Sequence, residues 1–194
     1  TAELISDQGL LLTNHHCGYS QIQSYSSLEN NYLKNGFWAA SLKDELPNDG
    51  LTATLIDRIE DVSSRMMEGI TEGMSTEEVQ AKLQENSKAI EESANSELLA
   101  AKVRAYNYGN SYFLIVTKTY NDGRLVGSPP DAVGKFGGDT DNWVWPRHTG
   151  DFSLFRIYAD AMNEPAEFSD SNVPYEPIQH LKVSLDGLAE GDFT

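Results

Sequence analysis

Positive charge is scarce in this chain. Fourteen Lys and Arg stand against thirty Asp and Glu in 194 residues, a formal net charge of −16. So acidic a surface repels phosphate backbones and anionic lipid, which argues against nucleic-acid binding. Cysteine is nearly missing too. Cys17 alone cannot close an internal disulfide, and it says little about compartment. No apolar run approaches the ~20 residues needed to cross a bilayer, so no membrane insertion is expected. The leucine triplet at residues 10–12 is too short for the core of a secretion signal. Internal repeats and low-complexity tracts are lacking, and glycine and proline are modest at 15 and 7. With 39% hydrophobic residues, the chain can bury a core as one domain, or as one domain with a decorated insert. Both ends, Thr1 without a methionine and Thr194 within GDFT, read as cut, and a longer protein is expected.

What is present falls into three zones. In the first, ELIS and LLLTN read as short strands joined at Asp7-Gln8-Gly9, a β-hairpin pattern. Residues 21–50 are mixed and polar, ending in a break at Pro47-Asn48-Asp49-Gly50. The second zone, about 55–104, is expected to be a helical insertion. Leu55, Ile59, Val62, Met66 and Ile70 recur at threes and fours, and Ser75-Thr76-Glu77-Glu78 opens a further helix with capping-box residues. Its acidic residues read as a solvated outer face. In the third zone SYFLIVTKTY reads as a strand, Asn121-Asp122-Gly123 as a hairpin turn into RLVGSP, and DFSLFRIYA as a longer strand. The expected fold class is mainly β, an antiparallel core with a helical insertion.

The stretch LLLTNHHCGYSQIQ sets His15 and His16 beside Cys17. Adjacent side chains on an extended strand point to opposite faces, so the two could hardly share a metal ion, and no metal is expected. Asp139-Thr140-Asp141 has Val144 where a calcium loop of the EF-hand kind needs glycine. Two readings remain, a structural histidine and a catalytic one. A histidine ending a buried strand is rigid yet can face a cleft, as general-base work requires. Such a base needs an orienting carboxylate, and Asp151, at a loop-to-strand junction before FSLFRIY, is the candidate. Asp139 and Asp141 compete with it.

At these residues a resemblance becomes specific. TNHHCGY resembles the TAAHC signature of chymotrypsin-like serine peptidases, and GDFSLFRIY resembles their DIALLRL strand, with His before Asp as in that clan. More narrowly, GLLLTNHHCGY with GGDTDNWVWPRHTGDFSLFR resembles the bacterial serine dipeptidyl-peptidases typified by dipeptidyl aminopeptidase BII and dipeptidyl-peptidases seven and eleven, over most of the chain. The resemblance implies a chymotrypsin-like antiparallel β-barrel, residues 1–194 being the first barrel of a double-barrel catalytic domain. The second barrel and a helical cap domain would lie outside this chain. It implies a serine exopeptidase that releases dipeptides from peptides with a free amino terminus, with His16 as general base and Asp151 as its orienting aspartate. His15 would be structural. Asn142 and Trp143 would hold the substrate's amino terminus, a task that an amide oxygen and an aromatic face can perform on an ammonium group, and Trp145 would pack in the core.

The nucleophilic serine should sit in a GxSGG-like segment, which these residues lack. Ser20, Ser111 and Ser153 lack such glycine-rich surroundings, so the chain alone is expected to be inactive. No cofactor is implied. A periplasmic or secreted bacterial enzyme, a homodimer when full length, is. The alternatives are a chymotrypsin-like endopeptidase and a non-catalytic peptide-binding homologue.

Overall fold

The computed structural model describes residues 1–138 and 148–193. Along the chain run β1 (Glu3–Leu4), β2 (Leu10–Thr13), α1 (His15–Tyr25), α2 (Tyr32–Asn35), β3 (Phe37–Trp38), β4 (Leu46–Pro47) and β5 (Ala53–Asp61). Next come α3 (Ser63–Met66), α4 (Thr76–Ala94), β6 (Leu99–Tyr106), β7 (Ser111–Tyr120), β8 (Asp122–Ser128), α5 (Asp131–Gly134), β9 (Ser153–Ala159) and β10 (Val173–Pro174). Residues 1–52 with 120–194 form one compact unit and residues 53–119 a second.

The first unit is built on a mixed-length antiparallel sheet in the order β1-β2-β9-β8-β3, with β10 on β9 and β4 on β8. The expected hairpin at Asp7-Gln8-Gly9 is there, Glu3 opposite Leu12 and Leu4 opposite Leu11. Gly9 turns it at φ +66°, and any Cβ would sit 2.8 Å from the Ile157 carbonyl oxygen, so both backbone and packing demand glycine. The core joins Ile22, Leu125 and Phe155, with Leu11, Phe37 and Leu46 packed around them. Helix α1 buries His15, Gly18 and Ile22, spaced by three and four on one face. Gly18 lets the helix lie directly on β9, since a Cβ there would meet Ser153 Oγ at 2.7 Å. Beneath this apolar layer Arg124 makes two hydrogen bonds to Asp122, at 2.9 and 2.7 Å, and Arg156 bonds Glu45 at 2.9 Å. Both pairs are nearly buried, with hydrogen-bonding partners on either side. Burial, then the Glu45 hydrogen bond and charge, push the Tyr158 hydroxyl well above its ordinary pKa.

Two expectations are corrected. Asn121-Asp122-Gly123 is not a hairpin turn. Asn121 alone separates β7 from β8, which belong to different sheets, and Asp122 is already the buried first residue of β8, opposite Tyr158. Asp122 serves ion pairing with Arg124 instead. The second zone is not wholly helical either. Residues 53–61 and 99–106 are strands, and with β7 they make a three-stranded sheet ordered β5-β7-β6. The threes-and-fours spacing coexists with the β-branched residues Thr52, Thr54, Ile56 and Ile59, which favour extended backbone. Helix begins only at Ser63, whose N–H bonds Asp61. The helix opening at Ser75 is as expected: Ser75 and Glu78 exchange side-chain-to-backbone bonds in a full capping box. Its Ile90 packs on Val62, Met66, Ala101, Leu114 and Val116. Mainly antiparallel β structure with a helix-bearing insertion is the architecture observed.

Candidate active site

His15 and His16 do not end a strand, as the sequence suggested. Strand β2 stops at Thr13, Asn14 is in extended conformation, and the two histidines open α1. The difference matters, because successive residues on a helix project about 100° apart. One imidazole can therefore enter the core while the next faces outward. His15 is 1% exposed, whereas the His16 side chain is 71% exposed. Cys17, next along the helix, is exposed.

The first turn of a helix leaves backbone N–H groups without intrahelical partners. Here the N-cap side chain does not supply one. Asp151, 135 residues downstream of His16, does: its Oδ1 accepts the His16 N–H at 3.0 Å. Its Oδ2 lies 2.6 Å from His16 Nδ1. Asn14, freed from capping, donates through Nδ2 to the Asp151 carbonyl at 3.2 Å and to its Oδ2 at 3.3 Å. Asp151 thus serves both the positive end of the helix and the imidazole. Burial pushes its carboxyl upward, but the His16 N–H, the ring hydrogen bond, the charge on that ring and the His15 N–H outweigh this and hold it below the ordinary carboxylate value.

An ionised carboxylate only accepts, so His16 Nδ1 carries the hydrogen of that bond, and in the neutral ring Nε2 is left with its lone pair. His16 and Asp151 line a cleft of about 390 Å³ together with Tyr19, Phe136, Thr149 and His15. An oriented imidazole at a cavity is an arrangement that general-base work can use.

His15 cannot fill that role. Its Nε2 is 2.8 Å from Asp131 Oδ1 and its Nδ1 is 3.0 Å from Ser128 Oγ, so both nitrogens are engaged. Ser128 is wholly buried and bonds the Pro129 carbonyl as well, which bars it from substrate. Gly134 lies against the same ring: an added Cβ would come 2.5 Å from His15 Cγ. Because His15 has no room to retreat, Gly134→Ala is expected to destabilise this unit by about 1–3 kcal/mol. Thermal unfolding of the two forms, compared side by side, checks this.

The sequence-level candidates are accounted for unevenly. The structure brings His16 and Asp151 together. Asn142, Trp143, Asp139, Asp141 and Trp145 lie outside the described residues. Ser153 is buried with Oγ on the Asn14 carbonyl, and Ser20 is an exposed helix residue bonded to Gln21, so neither is placed as a nucleophile. Among the described residues no group of three or more His, Cys, Asp or Glu is arranged to hold a metal, and no helix is long and apolar enough to cross a membrane. Asn14, Ser128, Asp131 and Gly134 went unread. The only hint was Pro129-Pro130-Asp131, a rigid entry to a short helix, and nothing local ties it to a histidine 116 residues away.

An oriented imidazole–carboxylate pair at a cleft in an antiparallel β unit is the kind of arrangement that acid–base chemistry in hydrolases uses. The family follows from comparison: the Peptidase S46 model matches residues 1–194, and the chain belongs to that family. It is 56% identical over 195 residues to the Asp/Glu-specific dipeptidyl-peptidase of Capnocytophaga gingivalis, covering all of this chain and 27% of that protein. To dipeptidyl-peptidase 7 of Phocaeicola vulgatus it is 49% identical over 199 residues, covering all of this chain and 28% of that protein. The crystal structure of Porphyromonas endodontalis DPP11 in complex with the dipeptide Arg-Glu superposes with a TM-score of 0.81 at 46% identity, over 98% of this chain and 28% of that one. The chain therefore spans a little over a quarter of the length of the relatives it matches.

Proposed function

We propose that this chain is the amino-terminal part of a serine exopeptidase that removes dipeptides from the free amino terminus of peptides. The observation that carries the reading is the contact between His16 Nδ1 and Asp151 Oδ2 at 2.6 Å, made by two residues that line a cleft. The relatives' names support the dipeptidyl product.

In this mechanism a serine supplied by the rest of the longer protein attacks the second peptide bond of the substrate. His16 Nε2 takes the hydroxyl proton as the oxygen bonds the carbonyl carbon, then returns it to the departing amine. Asp151 keeps the ring in the tautomer that leaves Nε2 unprotonated, and stabilises the imidazolium between the two transfers. Water then repeats the sequence to release the dipeptide, His16 again moving the proton. Asn142 and Trp143 hold the substrate's ammonium group, a role resting on the family resemblance, and their distance from the attacked bond sets the product length. The same reading makes the mature enzyme a periplasmic or secreted homodimer that requires no cofactor.

Amine recognition is the feature that separates this exopeptidase from an endopeptidase. In the full-length enzyme, acetylating the amino terminus of a peptide substrate is expected to suppress cleavage by at least about 100-fold, because a site built for a charged donor rejects its blocked analogue. Asn142→Ala is expected chiefly to raise KM for the free-amine substrate. Equal cleavage of blocked and free peptides, measured by mass spectrometry of the products, would replace the exopeptidase reading with the endopeptidase one.

A further inference from the structure

The cleft contains a second imidazole that this chemistry does not use. The His15 ring takes its partners from two other elements, Ser128 at the end of β8 and Asp131 at the start of α5. Buried to 1% exposure, it spans from the helix turn that presents His16 to the segment that faces it across the cleft. Gly134 closes onto the ring, and Lys135 and Phe136 follow directly as cleft-lining residues.

That facing segment is tied in turn to the stretch leading to Asp151. The Gly150 N–H bonds the Val133 carbonyl at 2.9 Å, and Thr149 Oγ1 bonds the Phe136 carbonyl at 2.9 Å. The contacts make a closed circuit: His16 bonded to Asp151, Asp151 through Gly150 to Val133, Val133 along α5 to Asp131 and its bond to His15, and His15 along the helix to His16. Among the described residues, the His15–Asp131 and His15–Ser128 bonds and Lys135 over the Tyr19 ring join this segment to α1 without passing through Asp151.

We propose that His15 and Asp131 are positioning residues for the peptidase reaction, a clamp that sets the spacing between the base-bearing helix turn and the cleft wall of residues 134–136 against which substrate packs. A hydrogen bond to a carboxylate is directional as well as strong, and so fixes a distance where apolar packing alone would tolerate a range of them. Two adjacent histidines on one helix turn suit this division of labour, because whatever orients the first ring orients the second. The proposal rests on the peptidase reading.

The test is steady-state kinetics of the full-length enzyme carrying Asp131→Ala. The Asp131 side chain is 36% exposed, so its removal opens no sealed void. KM for a free-amine peptide substrate is expected to rise about tenfold, with kcat per active site falling less than about threefold, as misplaced binding surface does. Active sites are counted with a serine-directed covalent inhibitor. Asp131→Asn keeps an oxygen that can accept from Nε2–H, and is expected to hold KM within about threefold of wild type. If Asp131→Ala yields no folded enzyme, Asp131→Glu is read instead: it keeps the charge but displaces the carboxylate by one methylene, and KM should again rise. A merely structural role would lower thermal stability and the active fraction while leaving KM unchanged, and that result would overturn the clamp. Absence of dipeptide release by the wild type would sink the peptidase reading instead.

Discussion

Replacing His16 by alanine in the full-length enzyme is expected to lower kcat by roughly 10⁴- to 10⁶-fold, the range seen when the base of a serine–histidine–aspartate site is removed. KM should change little, because in the proposed mechanism the ring moves a proton and does not hold the substrate. Folding should survive. The His16 side chain is 71% exposed, and the bond that its backbone N–H makes to Asp151 is retained by alanine. Circular dichroism and active-site titration would establish that the variant is intact. The neighbouring substitution is the informative control, since His15→Ala would remove a fully buried ring and leave Ser128 and Asp131 without their partner. Its effect should fall on stability and KM together. A His16→Ala enzyme retaining more than about a tenth of wild-type kcat would exclude the ring as general base, since such a base contributes at least about 10²-fold.

The contrast between the two histidines shows how far sequence reading reaches. Asp151 was legible as an orienting acid because a histidine base requires one, whereas the choice of His16 over His15 rested on the resemblance of TNHHCGY to the peptidase signature. What was not legible is local geometry. The LLLTNHHC run reads as a strand to its end, yet Asn14 breaks it and a helix starts at His15, directed by a carboxylate 135 residues away that caps it. A cap supplied from so far leaves no trace within a window of ten residues. The same holds for His15, whose partners are set by the close approach of α5 at Gly134.

The fold was readable to a similar depth. The hairpin around Gly9 and the capping box at Ser75 are local devices, and both are observed. Strand β5 was misread because Leu55, Ile59 and Val62 satisfy a helical spacing by coincidence. Ile56 and Ile59 remain half exposed in it, so burial never enforced the two-residue alternation that marks a strand. Asp122 looked like a turn residue and Arg124 like the start of the strand after it. Their burial becomes intelligible only once Tyr158, Asn172 and the Ser169 carbonyl are seen to surround them.

Asp151→Asn should separate the two tasks of the carboxylate. The amide nearly preserves shape, and its oxygen can still accept the His16 N–H, but the NH2 then faces Nδ1 and donates to it. The ring is thereby driven to the tautomer with hydrogen on Nε2, which cannot accept a proton from a serine, and kcat should fall by about 10⁴-fold. The second effect is on α1. Exchanging an ionised group for a neutral one at a helix amino terminus removes about 0.3–1 kcal/mol of stabilisation, readable as faster hydrogen exchange in peptides covering His15–Tyr25 of the full-length protein. This effect must depend on pH with a definite sign. The folded-state carboxyl titrates below its unfolded value, so its stabilisation is complete above the unfolded pKa, about 3.9, and is lost as pH falls through the folded one. The exchange difference between wild type and Asp151→Asn, corrected for intrinsic rates, should therefore shrink on acidification below about pH 4. A difference unchanged down to about pH 3 would mean that the carboxylate's charge does not hold this helix turn. Since that measurement needs neither nucleophile nor substrate, it tests the His16–Asp151 geometry independently of catalysis.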